Sequence, residues 1–151
     1  MRLGLFAAAM VTVLVSMDDS RAQVPDFSTC DERLWLTQGN PTDLLSVGMT
    51  TNPFTFTNEG GETFAHNAAG FHPTDFYGYA IQAGPTPNLL RLGSNGQTQN
   101  LGAIAGIPSS PGINAGEIAD DGSYYVVGSA APSTLYKIDV GTVSATTITL
   151  S

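Results

Sequence analysis

The sequence predicts an all-β protein built from a short repeat. Segments rich in Val, Ile, Thr and aromatic residues alternate with Gly, Pro and Asn about every ten residues. After residue 22 no segment places apolar residues at helical spacing over three turns. The strand pair 79–81 and 89–92 recurs as 124–127 and 135–138. A period of about 40–50 residues made of short strands is typical of propeller blades.

Alignment of the copies predicts four antiparallel strands per repeat. Asn67-Ala68 matches Asn114-Ala115 at an offset of 47 residues, and each pair opens an inner strand. A turn follows, at residues 72–75 in one copy and 119–122 in the other, before the second strand. The predicted strands are 33–37, 44–48, 54–57, 63–71, 76–82, 88–93, 97–101, 113–119, 123–129, 134–140 and 145–150.

The first copy is incomplete. Residues 39–45 match residues 84–90 at an offset of 45, which places its second, third and fourth strands. No obvious inner strand precedes them. The segment 24–30 is either a poor inner strand or a strand that pairs elsewhere. The predicted fold is therefore a partial β-propeller of about three four-stranded antiparallel blades.

The first 22 residues predict a secretory signal peptide. Arg2 supplies a positive start, residues 3–15 form an apolar run too short to span a bilayer, and Ser20 and Ala22 suit signal peptidase. Cleavage before Gln23 is expected, and an uncleaved membrane anchor is the alternative. The remaining chain, 23–151, is one repeat domain with blades at about 31–60, 61–105 and 106–151.

Composition limits the partners. After residue 22 the chain carries eleven acidic and three basic residues, so nucleic acid is an unsuitable partner. No later apolar segment reaches membrane length, and we expect a secreted, periplasmic or cell-surface protein without a membrane span. The single cysteine, Cys30, suits a small buried residue or a disulfide to another chain, whereas a lipid anchor fits it poorly.

Three polar residues are the candidate ligand-binding positions. Asn67 and Asn114 recur at the same phase on inner strands and could face a central channel, or each amide could tie adjacent blades together. Glu117 lies on an inner strand and could face the same channel, but no second carboxylate pairs with it for glycoside hydrolysis. The aromatic residues favour packing between blades over a sugar platform.

No metal, cofactor or catalytic residue is predicted. His66 and His72 are the only histidines and lack the further ligands of a zinc site. Residues 120–123 lack the oxygens and the closing Glu of a calcium loop, and an Asp-Gly turn explains them. No nucleophile, base and acid occur in a recognisable pattern.

Several segments resemble a known family. Residues 67–75, 77–79 and 89–93 resemble a β-propeller domain of unknown function that is found in bacterial secreted or cell-surface, adhesin-like repeat proteins. Residues 114–116, 121–125 and 135–139 fit the same pattern. The resemblance implies a surface-exposed propeller with no assigned catalytic residues. Such domains resemble closed propellers with more blades than the three predicted here.

These observations favour a non-catalytic module for binding, adhesion or envelope structure, with an unknown ligand. The alternatives are a secreted or periplasmic hydrolase-like or lyase-like propeller enzyme and an inactive fragment of a longer propeller. Three blades leave terminal faces uncovered, so we expect self-association or blades supplied by another chain. A protein or glycan ligand is compatible with either arrangement.

Export is directly testable. Mass spectrometry of the exported protein should find a new N-terminus at or near Gln23, because the small residues Ser20 and Ala22 precede that bond. Intact Met1 in a membrane fraction would contradict the prediction and support the anchor.

Overall fold

The protein is described by a computed structural model that covers residues 23–28, 33–61 and 64–150. These residues contain eleven strands and no helix. In chain order the strands are β1 (Leu34–Gln38), β2 (Asp43–Gly48), β3 (Thr55–Gly61), β4 (His66–Phe71), β5 (Gly78–Gln82), β6 (Asn88–Leu92), β7 (Thr98–Ala103), β8 (Ile113–Ile118), β9 (Tyr124–Gly128), β10 (Thr134–Asp139) and β11 (Ser144–Thr149). Accordingly, the described part of the chain offers no helix that could cross a membrane.

The strands form three separate antiparallel sheets. The first sheet has the order β1-β2-β3, the second β4-β5-β6-β7 and the third β8-β9-β10-β11. Each of the eleven predicted strands has a counterpart in these sheets, so the all-β prediction is confirmed. The prediction of four strands in every repeat is wrong for the first sheet, which has three strands among the described residues.

The segment before the first sheet joins the second sheet instead. Phe27 N–H donates to the Phe76 carbonyl at 2.8 Å, and Ser94 N–H donates to the Pro25 carbonyl at 3.0 Å. Val24 is buried, and Gly93 leaves room for it, since a Cβ at Gly93 would lie 2.7 Å from the Val24 Cβ. Residues 23–28 therefore bond to the second repeat without forming a strand, so they are not an inner strand of the first sheet, and of the second interpretation only the pairing elsewhere is confirmed. Cys30 and the signal segment lie outside the described residues.

A shared irregularity relates the first two sheets. The register shifts between Leu44 and Leu45, and again between Leu89 and Leu90, as β-bulges in the facing strands require. In the facing strands an Asn side chain accepts the N–H of the Gly two residues later at 2.8 Å, once at Gly60 and once at Gly102. Both glycines have positive φ, which a bulge of this kind favours. The bulges show that β2 corresponds to β6, and hence β1 to β5.

The main core lies between the second and third sheets. One face of each sheet contributes fully buried side chains, and burial of each large one stabilises the fold by about 1.5–3 kcal/mol. They include Tyr79, Ile81, Leu89, Tyr124, Val126 and Ile138. The other face of the second sheet carries a smaller cluster of Ala80, Leu90 and Leu92, with Phe64 and Ala69 packed against it.

The inner strands β4 and β8 pack directly against each other. A Cβ at Gly70 would lie 3.0 Å from Ile118, and one at Gly116 would lie 3.0 Å from the Ala68 Cβ. Small residues thus allow the two backbones to approach. The Tyr124 hydroxyl donates to the Ala68 carbonyl, and this hydrogen bond joins the third sheet to the second.

Replacing Tyr124 with Phe should destabilise the protein by about 1 kcal/mol, because the part-buried Ala68 carbonyl loses its donor. Tyr125→Phe is the matched control, since Tyr125 is half-buried on the opposite face of the same strand. Urea unfolding of both variants measures the difference. Equal stability losses would contradict the proposed role of the Tyr124 hydroxyl.

Candidate functional site

A cleft of about 470 Å³ lies between the first and second sheets and is the candidate functional site. One wall is the edge strand β1, and the other is formed by residues 69–71 of β4. In the second and third sheets the strand equivalent to β1 is paired with an inner strand, β4 or β8. Further residues that line the cleft are Phe27, Arg33, Leu44, Gly78, Leu92 and Glu117.

Aromatic rings form the lip of this cleft. The Phe27 ring lies edge-on to Trp35, with 5.0 Å between centroids, and edge-on to Phe71 at 6.0 Å. The Arg33 guanidinium carbon lies 5.2 Å from the centroid of the Trp35 ring, within reach of a cation–π contact. Phe71 remains 47% exposed. A partly exposed aromatic wall of this kind suits a ligand with apolar surface.

The charged groups near the cleft are already engaged. The Arg33 guanidinium lies 3.4 Å from a Glu59 carboxylate oxygen, and the Ser46 hydroxyl donates to the same oxygen at 2.5 Å. The Glu117 carboxylate accepts the N–H of Ile118 at 3.1 Å. The structure thus places Glu117 in this cleft and bonds it to the backbone of its own strand end.

Asn67 and Asn114 line a different and smaller cavity, of about 210 Å³. The structure therefore brings these two predicted residues together and separates them from the cleft that contains Glu117. The Asn67 amide donates to the Ile113 carbonyl at 3.3 Å, which joins β4 to β8. For Asn67 this contact is the blade-tying role that sequence analysis offered as an alternative to ligand binding.

Sequence analysis missed a polar cluster at the turn after β4. His72 Nδ1 lies 3.2 Å from an Asp75 carboxylate oxygen, and the Tyr79 hydroxyl donates to the other oxygen at 2.7 Å. The Tyr77 N–H donates to Asp75 at 3.0 Å, so one carboxylate anchors the turn and the following strand. The Arg91 guanidinium stacks 4.7 Å from the Tyr77 ring centroid. The sequence of residues 72–75 predicted a turn, but it could not predict the cluster, because Tyr79 and Arg91 reach the turn only in the folded sheet.

The histidine ring also contacts the next repeat. A Cβ at Gly122 would lie 2.7 Å from His72 Nε2, and Gly122 has a φ of +81°. His72 therefore rests against the turn of the third sheet that corresponds to its own. Near this contact lies a wider cavity of about 640 Å³, whose polar lining includes Asp121, Lys137 and Asp139.

The two aspartates of that cavity serve as turn residues. The N–H and hydroxyl of Ser123 hold the pKa of the Asp121 carboxyl below its usual range. The N–H groups of Thr142 and Gly141 likewise lower the pKa of Asp139.

His66 is buried, and its backbone N–H donates to the Thr42 hydroxyl at 3.0 Å. Over the described ranges no three His, Cys, Asp or Glu side chains are grouped to hold a metal ion.

Burial, together with the hydrogen bond to Asp75, raises the pKa of Tyr79 to about 12 from 10.0. Below pH 10 the Tyr79 phenol keeps its proton in both the folded and the unfolded state, so its contribution to the free energy of unfolding is fully present. Between pH 10 and 12 the unfolded phenol ionises first, and the free energy of unfolding falls as pH rises. Tyr79→Phe should reduce this fall, which urea unfolding at pH 9, 10 and 11 would measure. An unchanged pH dependence would contradict the shifted pKa.

Comparison with known proteins supports the repeat organisation. Residues 35–151 match a family described as a repeat of unknown function, DUF6923. Comparisons with curated proteins and with solved structures gave no significant match. The family match covers all eleven strands except the first residue of β1. The chain therefore belongs to this family of repeats of unknown function.

Proposed function

We propose that the chain is a secreted, non-catalytic binding module that assembles by stacking its sheets against those of a second copy, as propeller blades stack. One observation carries the proposal. The outward face of the first sheet exposes Leu34 and Leu36, and the equivalents of both positions in the other two sheets are buried (Gly78 and Ala80, Tyr124 and Val126).

The exposed face is continuous across the first sheet. Leu34 pairs with Val47, and Val47 pairs with Phe56, so the three side chains share one face. Leu34 is 55% exposed and Phe56 is 60% exposed, and they flank the buried Val47. Leu36 and Phe54 extend the same face by alternation along β1 and the segment that leads into β3. Apolar patches of this kind mark interaction surfaces in soluble proteins.

The equivalent face of the next repeats shows what covers it. The bulges align Leu45 and Val47 of the first sheet with Leu90 and Leu92 of the second. The sequence repeat of 89–92 as 135–138 and the matching strand pairing extend this alignment to the third sheet. The third-sheet equivalents, Tyr136 and Ile138, are buried against the second sheet. A face of this type is therefore covered by the preceding repeat, and a further repeat is the natural cover for the first sheet.

The third sheet offers the complementary face. Leu135 pairs with Val127 on one side and with Ile148 on the other, so these three side chains share the face that points away from the core. Ile148 is 40% exposed. Contact between this face and the first sheet of another chain is heterologous and can close a ring. Two chains would contribute six sheets, within the range of about four to eight blades in closed propellers.

The other parts of the proposal rest on sequence and local geometry. The signal-like segment 1–22 and the acidic composition support an exported, soluble module. The carboxylates that catalysis could use already accept hydrogen bonds within their own turns. Asp75 accepts from the Tyr79 hydroxyl, Asp121 from the Ser123 N–H and Asp139 from the Gly141 N–H. These engagements support binding or envelope structure over hydrolysis.

Charge placed on either terminal face should disrupt assembly. Phe56→Glu and Ile148→Glu each replace an exposed apolar residue, so folding should persist, whereas burying the carboxylate in a contact should weaken association at least about tenfold. Light scattering over a dilution series measures the mass. Phe76→Glu is the matched control, because Phe76 is 44% exposed but precedes β5 and lies on neither terminal face.

A mixture of the two variants tests the head-to-tail geometry. The Phe56→Glu chain keeps its third-sheet face, and the Ile148→Glu chain keeps its first-sheet face, so mixing them should restore one contact and a dimer. A face-to-face contact between two first sheets would instead survive Ile148→Glu alone. A wild-type protein that stays monomeric at all concentrations would overturn the proposal.

A further inference from the structure

We infer that the free edge of β1 is an acceptor site for an extended, small-residue strand supplied by another polypeptide. The site is the candidate cleft beside β1, and its occupant would add a fourth strand to the first sheet. This inference does not depend on the proposed stacking, because it concerns a strand edge, whereas stacking uses the face of the sheet.

The position is defined by the other two sheets. Since β1 corresponds to β5, the place beside β1 corresponds to that of β4 in the second sheet and β8 in the third. The described residues put no strand there. The cleft of about 470 Å³ occupies this place, and residues 34–37 of β1 form its wall.

The edge of β1 is chemically suited to pairing. The outer N–H and C=O groups of an edge strand lack ladder partners, and an added strand satisfies them with main-chain hydrogen bonds. Natural edges are commonly protected by Lys, Pro or a bulge. Between Leu34 and Gln38 the sequence is Leu-Trp-Leu-Thr-Gln, and its pairing with β2 is regular over all five residues. Among the described residues, the edge of β1 thus carries no Lys, Pro or bulge that would block pairing.

The register of the second sheet indicates which residues the occupant needs. Gly70 pairs with Tyr79, and Asn67 pairs with Ile81. The positions of Tyr79 and Ile81 correspond to Trp35 and Thr37 of β1, because each pairs with the equivalent residue of the next strand. A glycine of the incoming strand would therefore lie opposite Trp35, and an asparagine opposite Thr37.

Space in the cleft also favours small side chains. Inner strands β4 and β8 approach closely through glycine and alanine, and a strand inserted beside β4 faces the same crowding. The rings of Phe27, Trp35 and Phe71 already narrow the opening. The expected occupant is an extended segment with an Asn-Ala-Ala-Gly core, like residues 67–70 of this chain.

A synthetic peptide with the sequence of residues 64–72, blocked at both ends, provides a direct probe. Trp35 is the only tryptophan of the chain and lies at the cleft, so its fluorescence reports binding. Hydrogen exchange of the complex gives the location. Amides of residues 34–38 should become protected, whereas the outer edge strand β11 should not change.

Two backbone-methylated peptides separate strand pairing from side-chain binding. One carries N-methyl groups on Asn67 and Gly70, whose equivalents in β4 lie on either side of a bulge and both face β5, and the other carries them on His66 and Phe71. Because successive N–H groups of a strand point to opposite edges except where a bulge shifts the register, only the first set should abolish binding. Gly70→Val within the peptide should weaken binding at least about tenfold, because the valine would meet Trp35.

The alternatives give distinct results. No change in Trp35 fluorescence and no protection of residues 34–38 would overturn the inference, as would equal binding by both methylated peptides. The Phe56→Glu protein should still bind the peptide, since Phe56 lies on β3 and does not line the cleft. Loss of stacking with retained peptide binding would thus show that the edge of β1 binds the peptide without the Phe56 part of the stacking face.

Discussion

The close approach of β4 and β8 is the contact on which the rest of the described structure depends. Gly70 and Gly116 bring the two inner strands together, and the hydroxyl of Tyr124, on the neighbouring strand β9, donates to the Ala68 carbonyl of β4. This approach brings the large side chains of the second and third sheets into one core. The same spacing carries the His72 ring to Gly122, so the turns as well as the strands of the two repeats are in register.

The first sheet lacks that kind of anchor, and its properties follow from this difference. It has no inner strand among the described residues, and contacts of Phe27 with Trp35 and Phe71 take its place at the cleft. The described residues also place no sheet against its outward face, so Leu34 remains exposed at a position where Gly78 and Tyr124 of the next repeats are buried. Both features follow from the lack, among the described residues, of the neighbouring elements that stabilise the second and third sheets.

The strands could be predicted from the sequence because their signals are local. Alternation of Leu, Tyr and Val, with Gly, Pro and Asp turns between the runs, predicted all eleven strands, and repeat offsets predicted the incomplete first copy. The site could not be predicted in the same way. The contact of Trp35 with Phe27, the approach of Tyr79 to Asp75 and the separation of Glu117 from Asn114 depend on how sheets pack. Such contacts join residues without a sequence pattern that relates them.

The open face of the first sheet exposes apolar area, whereas its open edge exposes main-chain hydrogen-bonding groups. The two therefore suit different kinds of partner. The hydrophobic free energy available at Leu34 and Phe56 is proportional to the apolar area that they expose, and any apolar surface that fits them can bury this area. The edge of β1 instead leaves directional main-chain groups without ladder partners, and only an extended backbone in register satisfies these. A stacked sheet therefore suits the face, and a strand suits the edge. Different parts of a partner meet these two requirements. A complete blade has both a face and an inner strand, so it could cover the apolar face of the first sheet and pair with the edge of β1.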